Sequence, residues 1–185
     1  MTPTIEALCN AYSRFVAIPW TKDVAGAERV WMAIYPPAQE RRLRMRIKEF
    51  ETATLRAGHT WRLIDITDMF PQWLADNEYR DSYFEDPDLL GTALEKFGQL
   101  LALNVAEQAS SEEVDTETVV AVLGAGSLYG MYRVSRLVEQ VQGKIRGRLL
   151  VFFPGHRQDN NYRLLDGHDG WNYMATPIEA YEEIL

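Results

Sequence analysis

The apolar positions of this chain follow two rhythms: short unbroken runs, and stripes that recur every three or four residues. Val30-Trp31-Met32-Ala33-Ile34-Tyr35 is a run closed by Pro36-Pro37. Residues 119–123 and 149–153 are runs closed by Gly124-Ala125-Gly126 and by Pro154-Gly155. Continuous apolar runs bounded by turn residues predict strands buried on both faces. Residues 60–66 predict another strand. The stripes predict helices. Residues 5–15, capped by Thr4, carry Ile5, Leu8, Tyr12 and Phe15 on one face. Residues 40–57 turn Leu43, Ile47, Phe50 and Thr54 inward, and Gly58 stops them. A short helix over 69–77 takes Thr67 or Asp68 as its cap. Residues 89–108 space Leu90, Leu94, Phe97, Leu101 and Val105 for a core.

The segment 119–155 sets the architecture. Its first run stops at the glycine turn, and a helix from that turn carries Leu128, Tyr132, Ser135 and Val138 on one face. The second run follows, which describes a parallel βαβ unit. Beyond it lie a strand over 161–165, a turn at Asp166-Gly167 and a short terminal stretch over 173–177. Residues 77–88 are polar, acidic and aromatic and are expected to be irregular; 110–118 is an acidic connector. The expected fold is a single α/β domain over residues 1–185: an open, mostly parallel sheet of about four strands flanked by helices. A small C-terminal edge strand or hairpin completes it.

At 185 residues, 46% of them hydrophobic, such a domain buries about 70% of its unfolded surface. The formal charge of −8 opposes general attraction to a nucleic-acid backbone. Cys9 is the sole cysteine, so neither an intramolecular disulfide nor a thiolate zinc site is expected. The N-terminal residues lack the basic-then-apolar order of a signal peptide, and no apolar run approaches a membrane span. The expectation is a soluble cytoplasmic protein.

Glycines between a strand and a helix can bring backbone N–H groups to a phosphate. A working P-loop needs Gly-Lys-Ser/Thr there, and no lysine follows Gly126 until Lys144. A dinucleotide site wants an acid at the end of the next strand, which reads Phe152-Phe153-Pro154. Ser127 misses the Gly-x-Ser-x-Gly spacing of a nucleophile elbow and reads as a helix N-cap. His59, His156 and His168 share no metal-ligand spacing. His156, Asp159, Asp166, His168 and Asp169 crowd one region, where ordinary turn chemistry explains them. No catalytic residue, metal site or cofactor is expected.

Two surfaces remain. Arg41, Arg42, Arg44, Arg46 and Lys48 form a basic cluster, and Tyr83 and Phe84 are aromatics among acids in 77–88. Either could contact a partner: the rings as anchors, the arginines as a docking patch. Arg133, among apolar neighbours, is expected in the helix–sheet interface with a partner for its charge, and Arg163 is expected to tie the last strand to the sheet. The residues alone leave open an interaction protein, a phosphate or nucleotide binder at the turn 124–127, and a DNA binder through the helix at 41–48.

A longer pattern narrows these. Gly124, Ser127, Leu128, Tyr129, Arg133, Val134 and Ser135 follow the first run; Phe152-Phe153-Pro154-Gly155, Asn161-Tyr162-Arg163-Leu164-Leu165 and Asn172-Tyr173 with Ala175 come after. In this order they resemble the C-terminal half of the BrxB family of bacteriophage-exclusion (BREX) defence systems. The resemblance is good over roughly the last third of the chain and holds earlier only in layout. Gly130 departs from it, standing where many members carry proline. It implies an accessory protein without catalysis, part of a multi-protein system that restricts phage while methylating host DNA. The implied partner is the alkaline-phosphatase-like component PglZ, with other BREX components beside it.

Overall fold

The computed structural model describes residues 3–21, 24–167 and 171–180, with Asn172 by its backbone only. The four apolar runs form β1 (Val30–Tyr35), β2 (Thr60–Asp65), β3 (Thr118–Leu123) and β4 (Arg148–Gln158). They lie parallel in the order β2-β3-β4-β1, and β7 (Thr176–Ile178) adds a parallel edge beside β1. β1 and β3 are buried at every position, as strands covered on both faces should be, while the edge strand β2 is largely exposed. With β5 (Asn161–Leu164) and β6 (Trp171–Asn172) the described sheet has seven strands, more than the four the apolar runs mark. The additions are short or partly polar and carry no run of their own.

Side-chain alternation divides the core. Trp31, Ala33, Val119, Ala121, Leu150 and Phe152 face α1 (Ile5–Val16) and α2 (Glu40–Arg56). Val30, Met32, Val120, Val122, Leu149, Val151 and Phe153 face α5 (Leu90–Ala109) and α6 (Val134–Val141). The predicted inner stripe of α2 is the buried one: Leu43, Ile47, Phe50 and Thr54. Thr54 can sit there because its hydroxyl donates to the Phe50 carbonyl at 2.9 Å and lies 2.6 Å from the Tyr12 hydroxyl. Thr4 caps α1 as expected, accepting from the Ala7 N–H at 3.2 Å.

Four expectations are corrected. Pro154-Gly155 does not end β4. The strand has parted from β3 after Val151 and leaves β1 at Pro154, then pairs antiparallel with β5 from Gly155 onward. The missing N–H of Pro154 thus falls where the parallel ladder finishes. The helix does not start at the glycine turn: a 3-10 turn, Ala125–Leu128, comes first, and Gly130 at φ +75° breaks the chain direction before α6 begins at Val134. Residues 77–88 are not irregular but hold α4 (Arg80–Glu85) and a 3-10 turn, Pro87–Leu89, after α3 (Met69–Ala75). α4 buries none of its residues, so no apolar stripe announced it. Neither Thr67 nor Asp68 caps α3 by its side chain; Asp65 instead accepts the Thr67 N–H at 3.0 Å.

Candidate functional site

Open α/β sheets place ligands outside the carboxyl ends of their strands. At that rim lies a crevice of about 360 Å³. α2, which follows β1, brings Glu40 and Arg44; the end of β2 brings Thr67; the turn after β3 brings Gly124 and Ser127; and β4 brings Pro154. Gly124 sits at φ +96°, and a Cβ on it would stand 2.4 Å from Thr67 Oγ1, so only glycine closes this turn.

Arg44 organises the crevice. Its Nε donates to Glu40 Oε1 at 2.7 Å, Nη1 to Asp65 Oδ2 at 3.1 Å and Nη2 to Thr67 Oγ1 at 2.7 Å. The Thr67 hydroxyl donates to Asp65 Oδ1 at 2.5 Å, and the Tyr35 hydroxyl donates to Glu40. Burial raises the pKa of Asp65, but hydrogen bonds from Thr67 and the charge of Arg44 outweigh it, holding the carboxyl below its ordinary range. Burial lowers that of Arg44, and Glu40 and Asp65 more than restore it. Burial and the Glu40 carboxylate push the Tyr35 phenol up.

One guanidinium therefore serves two carboxylates, with three of its five N–H donors engaged inside the protein. A phosphate entering here would meet a net negative charge. Ser127 is not an N-cap accepting a backbone N–H; its hydroxyl donates to the Gly124 carbonyl at 2.7 Å. Among the described residues no histidine lines the crevice. His59 precedes β2, at the amino ends of the strands, where it stacks on Trp20 at 3.6 Å between ring centroids and lies 3.0 Å from Glu117. Among the described residues no group of three or more His, Cys, Asp and Glu is placed to hold a metal ion. His168 and Asp169, which the sequence sets near Asp159 and the exposed His156, lie outside the described residues.

A second hollow, a groove of about 850 Å³, opens on the α5–α6 face. Phe153, Tyr162 and Trp171 line it and pack in series, with ring centroids 6.0 and 5.4 Å apart. Trp171 continues to Tyr173 at 5.5 Å. The Tyr162 hydroxyl donates to the Ala175 carbonyl at 2.8 Å and that of Tyr173 to Gln142 at 2.5 Å; burial pushes both phenols up to about 12. Leu128 is buried, Ser135 half-buried and Tyr129 50% exposed. Arg133 is exposed just before α6, which corrects its expected place in the helix–sheet interface: α6 begins one residue later and turns Val134, Leu137 and Val138 inward instead. Arg136 donates to Glu95 at 2.8 Å, bridging α6 and α5. Arg163 is half-buried, and its Nε has no hydrogen-bond partner among the described residues. Pro154 and Gly155 are buried. Most residues quoted for the family pattern thus divide between the two hollows and the hairpin behind them, while Phe152 faces α1 and α2.

The basic cluster of α2 is matched by acids. Arg42 and Arg46 pair with Glu6 at 2.8 and 3.0 Å, Arg46 also with Glu49 at 2.8 Å, and Lys48 with Glu51 at 2.7 Å. Arg41 is exposed, and Arg44 faces the crevice. On α4, Tyr83 is half-buried and Phe84 is 68% exposed. The Arg44 network was missed in the sequence, although Glu40 at i−4 is a readable signal for part of it; Asp65 is brought in only by the sheet.

A model of the family described as BREX protein BrxB matches residues 63–178. That span is more than half of the chain. The chain belongs to the BrxB family. It is a BREX-associated protein of antiviral defence. No curated protein and no solved structure matches it. The matched span contains every residue lining the larger groove, whereas Glu40 and Arg44 of the crevice precede it. No helix among the described residues is long and apolar enough to cross a membrane.

Proposed function

We propose that this BrxB-family chain is a non-catalytic adaptor of a BREX phage-defence system, working in the cytoplasm. It binds the alkaline-phosphatase-like component PglZ and so supports phage restriction and host DNA methylation. Family membership over residues 63–178 carries the reading. The chemistry of the crevice supports it: Arg44 is committed to Glu40, Asp65 and Thr67, and the Ser127 hydroxyl to a carbonyl. The same charge balance counts against a phosphate or nucleotide at residues 124–127, and the ion pairs of Arg42, Arg46 and Lys48 count against DNA binding by α2. Tyr83 and Phe84, with Arg41 and Arg42, are proposed as partner contacts. Co-purification of the tagged chain with the PglZ-like protein of its own system tests the reading. A stable complex is expected, as is loss of restriction and methylation when the chain is deleted; intact defence without the chain contradicts the reading.

A further inference from the structure

We infer that the outer face of α5 is a self-association surface, on which a second copy of this chain packs its own α5, antiparallel across a two-fold axis. The inference goes beyond the adaptor reading and does not depend on it.

The inner side of α5 buries Phe97, Leu101 and Val105. On the opposite side Lys96, Leu100, Leu103 and Glu107, all exposed, fall within about 60° of arc at 3.6 residues per turn and form one straight stripe. Leu100 is 53% and Leu103 57% exposed. From Phe97 to Ala106 the helix carries no charged residue, in a chain that is 25% charged. The exposed positions flanking the leucines are the neutral Gln99 and Asn104. The solvated side of α2 looks different: Arg42, Lys48 and Glu49 stand there, each in an ion pair. An uncharged face centred on two leucines fits a protein surface better than water.

The ends of the stripe select the occupant. Lys96 and Glu107 stand about 16 Å apart along the helix axis. Among the described residues neither is in an ion pair, whereas Glu95 beside them is held by Arg136. Turned end for end, the stripe complements itself. With the two-fold axis at the level between Leu101 and Ala102, Lys96 meets Glu107 of the second copy, Gln99 meets Asn104 and Leu100 meets Leu103. Symmetry makes each of these contacts twice. Parallel packing would set Lys96 on Lys96 and Glu107 on Glu107, and like charges oppose it. The helix dipoles favour the antiparallel arrangement too. A single helix pair buries less than the roughly 1,000 Å² of a standing interface, so the dimer is transient, with a dissociation constant on the order of 10–100 µM. A dimer also presents every other surface of the chain twice, which raises avidity for a repeated target.

Sedimentation velocity on the full chain, over a concentration series that brackets that range, tests this. The wild type is expected to shift from monomer to dimer. Leu100→Gln/Leu103→Gln should weaken self-association about tenfold or more. Lys96→Glu alone and Glu107→Lys alone should each weaken it, because each sets like charges face to face. Mixed in equal amounts, those two single variants should associate again, since every facing pair is then opposite in sign. A merely structural role of either residue does not give that rescue. Melting curves establish that the variants are folded. A wild type that stays monomeric throughout overturns the inference, as does self-association that the leucine variant and the charge reversals leave unchanged. If the wild type is monomeric and the leucine variant loses the PglZ-like protein, the stripe belongs to that partner and the inference also falls. None of these results removes the adaptor reading, which fails only if the wild type forms no complex with the PglZ-like protein.

Discussion

Tyr132 lies directly against Gly98 across the α5–α6 seam: a Cβ on Gly98 would stand 2.0 Å from Tyr132 Cε2 and 2.4 Å from its Cδ2. The ring is 8% exposed and its hydroxyl accepts from Gln140, so it cannot swing aside freely. In an exposed helix, Gly→Ala would stabilise by about 1 kcal/mol. Here overpacking, at about 1–3 kcal/mol, should reverse the sign. Gly98→Ala is expected to lower stability in urea unfolding, and adding Tyr132→Ala to it should cost less than the sum of the two single changes.

The turn after β3 separates backbone need from side-chain chemistry. Gly124→Ala forces a side chain into a left-handed conformation against Thr67, and a loss of about 2 kcal/mol or more is expected. Ser127→Ala removes one hydrogen bond to a carbonyl, worth about 1 kcal/mol, and should leave phage restriction intact. Plaque counts and melting curves on both variants check this. Restriction lost in a well-folded Ser127→Ala protein would point to chemistry at the serine.

The crevice should leave a mark on acid stability. The Asp65 carboxyl is held below its ordinary value in the fold, so its contribution is present above the unfolded pKa and fades as pH falls through the folded one. Arg44→Ala removes part of that. Because Asp65 and Arg44 are partly exposed, the loss at neutral pH should be about 1 kcal/mol or less. The gap between variant and wild type should narrow below about pH 4. Urea unfolding over a pH series measures the gap.

On the proposed partner surface, the rings of α4 should outweigh the arginines of α2. Phe84 is 68% exposed, whereas Arg42 is already paired with Glu6. Tyr83→Ala with Phe84→Ala is therefore expected to weaken the PglZ-like complex more than charge reversal at Arg41 and Arg42, which should alter mainly association rate and salt sensitivity.

Much of the scaffold was legible because burial imposes a period. The stripe from Leu43 to Thr54 and the closed runs at Val30 and Val119 repeat what their surroundings demand. What escaped had no such imprint. α4 buries nothing, so its residues follow no apolar rhythm. β4 continues past Pro154 because β5 takes over as its partner, a pairing that local sequence does not encode. The start of α6 depends on two glycines at positive φ, which read as one loose turn until their angles are known. Of the candidate site, the Gly124 turn was visible. The Arg44–Asp65 pair was not, since α2 and the end of β2 meet only through the sheet.

The central claim is that this chain works by binding. Its most direct test is calorimetric titration of the purified protein with the PglZ-like protein of its own system. A saturable complex that forms without nucleotide or metal and leaves the chain unmodified is the expected result. No heat and no co-migration at any concentration reached, in a chain that still restores phage restriction to a deletion strain, would contradict it.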